Sequence, residues 1–180
     1  MRILVGNCFS FAASVFMSLA AYTDSRRKML VFQTADCILL AIAQLILGAP
    51  SGAVVLMLGA LRNLLIIKNK FTLFAMLLFS SLAAVMGTLA NERGIIGYIP
   101  IAATLVLTVG LYGFKGPVAA KVVILLNLLL WSVYSFMIYD LATGVSNGAA
   151  AVICLITLIV KLRELNREKS SGSRDAPNAL

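Results

Sequence analysis

Seven apolar runs, each close to the length that crosses a bilayer and separated by only a few polar residues, leave this chain one kind of fold. A helix spanning the ~30 Å hydrocarbon layer takes about 20 apolar residues. Inside lipid every backbone N–H and C=O must find its partner within the protein, so such runs become helices. They lie at about 4–22, 29–47, 53–67, 71–90, 95–114, 118–139 and 143–162. Apolar residues make up 61% of the 180 and charged residues 12%, against about 45–50% and about 25% in soluble domains. The expected fold is therefore all-α: one polytopic transmembrane domain over 1–165, with no soluble module. Glu164–Leu180 is charged and then rich in Ser, Gly, Asp, Pro and Asn, so 166–180 is expected to be a disordered cytoplasmic tail.

The breaks between runs have local causes. Gly48-Ala49-Pro50-Ser51-Gly52 and Gly113-Phe114-Lys115-Gly116-Pro117 combine residues that end helices. Pro100, early in the fifth run, predicts a kink or an irregular helix start. The first run could be taken for a cleaved leader. Asn7, Ser10, Ser14 and Ser18 recur at three- and four-residue steps, however, which marks one polar face of a retained helix.

Lys and Arg collect in alternate loops. Arg26, Arg27, Lys28, Lys68, Lys70, Lys115, Lys121 and Lys161 onward fall on one side, and only Arg2 and Arg93 on the other. The bias orients the chain with its N-terminus outside and its C-terminus in the cytoplasm. It also accounts for the net charge of +8 without nucleic acid as a partner. The partner that the sequence does imply is the lipid bilayer. Seven spans can form a complete pathway in one chain, so no oligomeric state follows.

The residue inventory speaks against an enzyme. Histidine is absent, which removes the commonest general base and metal ligand. Cys8, Cys37 and Cys154 are far apart inside apolar runs and read as small buried residues rather than metal or redox ligands. No catalytic residue, metal site or cofactor is expected.

The runs divide as three, one and three. The second and third are joined by a short turn without basic residues, as are the sixth and seventh, so the fourth acts as a linker between two triple-helix repeats. Two constellations stand out. Asp36 and Arg62 fall at similar depths on the antiparallel second and third helices, and an unpaired charge there costs at least about 2.5–3.5 kcal/mol. They are expected to form an ion pair: a cytoplasmic gate, a carboxylate that takes part in proton coupling, or a structural pin of helix register. Asn127, Trp131 and Tyr134 share one face of the sixth helix, and Asn147 opens the seventh. An indole beside amides suits a small polar solute such as a sugar; the alternative is that these residues glue helices together.

Trp131-x-x-Tyr134-Ser135, followed by Asp140 and Asn147-Gly148, is similar to the W-x-x-Y-G…N pattern of the SWEET and SemiSWEET sugar carriers, in which the Trp and Asn line the sugar pocket. The whole chain, over about 5–165, resembles the YgjV family of bacterial inner-membrane proteins. Asp24-Ser25-Arg26-Arg27-Lys28, Ala60-Leu61-Arg62-Asn63 and Lys115-Gly116 carry that resemblance. The first half departs from the SWEET pattern: it lacks a tryptophan, and the counterpart of Trp131 is expected around Ala35–Cys37. The Pro-Gln dipeptide is absent, and so is any proline in the first span. The resemblance implies a multi-pass inner-membrane protein. With the candidate residues it favours a small-solute transporter working by alternating access, against a non-transporting structural or assembly protein.

Overall fold

The computed structural model describes residues 1–21, 26–113 and 117–172, and all of its regular structure there is helical. The helices are α1 (Arg2–Ala21), α2 (Arg26–Ile46), α3 (Pro50–Ile67), α4 (Leu73–Leu89), α5 (Ile99–Gly113), α6 (Pro117–Met137) and α7 (Leu141–Gly172). A 3₁₀ turn, Gly94–Tyr98, precedes α5. Pro100 follows as the second residue of that helix, where its missing N–H costs nothing. The irregular start is where the sequence places it. Pro50 opens α3 for the same reason, and Thr72 caps α4 by accepting from the Ala75 N–H at 3.3 Å. The final helix runs past the apolar stretch into residues 166–172, with Lys161 and Glu164 paired at 3.1 Å on its exposed side. Residues 22–25, the Lys115-Gly116 pair and 173–180 lie outside the described residues.

Among the described residues three helices are long and apolar enough to cross a membrane, and the others carry apolar stretches of up to 17 residues, at the short end of the spanning range of about 17–25. The distribution of side-chain size fits lipid rather than water. Phe11, Phe74, Leu89 and Ile95 face outward, whereas Ala13, Ala43, Ala49, Ala83 and Ala103 are fully buried. Lipid gives apolar side chains no reason to cluster, so helices associate where small residues let backbones approach.

Each helix packs on the next along the chain, and α1 also meets α7 while α3 meets α5. The α2–α3 and α6–α7 hairpins have the same turn, 91 positions apart. Gly48 (φ 71°) and Tyr139 (φ 63°) occupy left-handed backbone. In one turn Gly48 N–H donates to Leu45 O and Ala49 N–H to Gln44 O; in the other Tyr139 N–H donates to Phe136 O and Asp140 N–H to Ser135 O. This is the Schellman closure, in which one left-handed residue lets two late carbonyls find donors.

Candidate functional site

The 91-residue relation extends from the turns into the middle of the protein. Asp36 and Asn127 are each the eleventh residue of a 21-residue helix. Both line a cavity of about 140 Å³. Three further pairs of lining residues stand in the same relation: Cys37 with Leu128, Leu40 with Trp131, and Leu56 with Asn147. Facing positions of two hairpins therefore build this space. Met17, Gln33 and Asn63 carry its wall toward the base-rich ends of the helices.

At the turn end the space is filled. Tyr134 is fully buried, and its ring meets Trp131 edge-on at 5.8 Å between centroids. A Cβ on Gly52 would lie 2.7 Å from the Tyr134 hydroxyl and would also collide with the Gln44 side chain. Gly52 is thus where α6 presses on α3. The amide of Gln44 and the hydroxyls of Ser51 and Tyr134 are buried there without hydrogen-bond partners among the described residues.

The turns are held from outside by polar side chains. Arg93 donates from Nε to Gly48 O (2.7 Å) and from a terminal nitrogen to Leu47 O (2.8 Å), while Arg2 donates to Ile46 O (3.1 Å). Two cations thus cap the carbonyl end of α2, where the helix dipole favours them. Asn7 serves the other turn, donating to Tyr139 O (2.9 Å) and accepting from the Ala142 N–H (3.0 Å). Asp140 caps α7, accepting from the Thr143 N–H at 3.2 Å. Burial pushes the Asp140 carboxyl above the usual range, opposed by the Ser10 hydroxyl and the Thr143 groups around it.

Of the residues expected at a binding site, Asn127, Trp131 and Asn147 line the cavity together with Asp36 and Arg62. Tyr134 stands behind Trp131 and is not part of the lining. The expected Asp36–Arg62 ion pair is not made. The guanidinium turns to α5 instead, donating to Thr108 Oγ1 at 2.9 Å and, weakly, to Asn63 Oδ1 at 3.4 Å. A fixed hydroxyl on a neighbouring helix has taken the partner's place. Asp36 is the eleventh of the 21 residues of α2, which starts at Arg26 rather than near Met29. The counterpart of Trp131 is Leu40, not a residue within Ala35–Cys37. The signal that would have found it is the turn, but Tyr139 in the left-handed position hides the match to Gly48.

The chemistry within reach is recognition. A cavity at mid-helix depth holds one carboxylate, one guanidinium, three asparagines and an indole. Among the described residues no cluster of His, Cys, Asp and Glu could hold a metal ion. A family model for bacterial inner membrane proteins, Imp-YgjV, matches residues 4–165. No curated protein and no solved structure matches the chain.

Proposed function

The chain belongs to the Imp-YgjV family of bacterial inner membrane proteins, and from that premise we propose that it carries a small polar solute across the membrane. It is a multi-pass protein of the inner membrane. The single observation that carries the reading is the cavity whose walls come from residues 91 apart on two hairpins with the same turn. Two equivalent halves around a mid-membrane site are what alternating access requires, since rocking one half against the other exposes the site to each side in turn.

The helix packing supports a three-one-three division. Exchanging α1, α2 and α3 with α5, α6 and α7 maps each pair of packed α-helices that does not include α4 onto another: α1–α2 onto α5–α6, α2–α3 onto α6–α7, and α1–α7 onto α5–α3. Only α4 has no counterpart, and it serves as the linker that lets both halves enter from the same face. With the base-rich ends in the cytoplasm, the N-terminus lies outside and the cavity faces inward. Tyr134, Gln44 and Ser51 then close the outer side. The design is SWEET-like, with Asn127, Trp131 and Asn147 as solute-lining residues and Tyr134 as support for the indole.

Counterflow in proteoliposomes tests the proposal. Vesicles loaded with a pool of unlabelled sugars, amino acids and small metabolites should take up a labelled member of the pool. Trp131→Ala should reduce that uptake by about tenfold or more, given about 1.5–3 kcal/mol for burying an aromatic surface against solute. Protein-free vesicles that match the wild type for every solute would defeat the transport reading and favour an assembly or structural role.

A further inference from the structure

We infer that the solute taken by this cavity is a small zwitterion, with an ammonium group bound between Asp36 and Asn127 and a carboxylate bound at Arg62. The inference rests on reading the cavity as a solute site and adds the class of solute.

Among the described residues Asp36 and Arg62 are the only charged ones lining the cavity, and they face it without joining each other. Among the described residues Lys161–Glu164 is the one ion pair within 4.0 Å. Asp36 is 9% exposed and makes no hydrogen bond to any described residue. An uncompensated charge at this depth is costly, so the site is incomplete as it stands. The Arg62 guanidinium is turned instead toward Thr108, on a different helix from Asp36.

A second observation points the same way. Asn127 Oδ1 is buried with no donor, and Asn127 is the positional equivalent of Asp36 on the opposite hairpin. A carboxylate and an amide oxygen from matched positions are both acceptors, and a group rich in N–H donors satisfies both. At the other pole the guanidinium keeps N–H donors beyond those given to Thr108 and Asn63, in the fork that suits a carboxylate.

The alternatives fit less well. A neutral sugar would leave both charges unmet. A lone cation would be drawn by Asp36 and repelled by Arg62, and a lone anion the reverse. Size permits it: at roughly 10–15 Å³ per water, the 140 Å³ has room for about ten waters, enough for a solute of amino-acid size.

The test is ligand-dependent thermal stability of the purified full-length protein in lipid nanodiscs. Glycine and L-alanine are the probes, compared with ethylamine and propionate, each lacking one pole, and with glucose. L-alanine or glycine should raise the melting temperature in a saturable manner. Ethylamine and propionate should need at least about tenfold higher concentration, as expected for losing a hydrogen bond to a charged group. Asp36→Asn and Arg62→Gln should each weaken alanine by a similar factor, and Arg62→Lys by less. The wild-type comparison needs no variant, so a variant that fails to fold leaves the test intact. Absence of a shift with both zwitterions overturns the inference, as does an alanine shift matched by ethylamine or propionate. A Trp131-dependent shift with glucose and none with alanine would remove the zwitterion and keep the solute site. Alanine binding without counterflow would keep the zwitterion and remove transport.

Discussion

The α2–α3 and α6–α7 hairpins have one backbone turn and two different sets of side chains, and the differences are complementary. Tyr134 on α6 corresponds to Ala43 on α2, and Thr143 on α7 corresponds to Gly52 on α3; all but Gly52's missing side chain are buried. The Tyr134 ring occupies the room that Gly52 leaves. Near an axis relating two halves, equivalent side chains compete for one space, so only one of each pair can be large. The same logic sets Trp131 against Leu40 in the cavity wall. Within the hairpins, Ser132 donates to Gly144 O at 2.9 Å, where the first hairpin packs Ala41 and Ala53. A repeat of the backbone therefore survives while its side chains diverge.

Several substitutions probe how far that equivalence goes, and the largest effect is expected at Tyr134. Tyr134→Ala should cost about 3–5 kcal/mol, the loss typical of a buried aromatic truncated to alanine. Ala43→Tyr alone should overpack by about 1–3 kcal/mol. Exchanging all four residues (Ala43→Tyr, Gly52→Thr, Tyr134→Ala, Thr143→Gly) should recover part of both losses, measured by thermal unfolding in detergent. Recovery would show that the halves are interchangeable in space. Its absence would confine the equivalence to the turns.

The turns differ in how they are held, which gives a smaller contrast. Arg93→Ala removes two charge-assisted hydrogen bonds to the first turn and should cost about 1.5–3 kcal/mol. Asn7→Ala removes neutral bonds to the second and should cost about 1 kcal/mol. Equal losses would remove the distinction. The smallest effect has opposite signs in the two hairpins. Tyr139 holds a left-handed conformation that disfavours any residue with a Cβ, so Tyr139→Gly should gain about 1 kcal/mol and Gly48→Ala should lose about as much.

Much of the frame was legible in the chain. Runs of about 20 apolar residues can only be helices in lipid, and Pro50, Pro100 and the glycines mark their ends. Asn127, Trp131 and Asn147 were conspicuous because polar and amphipathic side chains among leucines carry a cost that needs a reason. What was hidden depended on geometry between helices. Asp36 and Arg62 line one cavity, but the choice of Thr108 over Asp36 as the guanidinium's partner is made by α5, which lies far along the chain. The place of Tyr134 behind the indole follows from Gly52, a residue that reads as part of a turn. The two arginines on the base-poor side looked like exceptions to the charge bias. Arg2 and Arg93 are there to cap α2.

Alternating access requires the two hairpins to move as halves around one cavity. Spin labels at Lys68, after α3, and Lys161, on α7, mark their base-rich ends, and the distance between them in lipid nanodiscs reads the motion directly. Two distance populations are expected, with a ratio that shifts when a solute that supports counterflow is added. One narrow distance, unchanged by any such solute, would contradict alternating access.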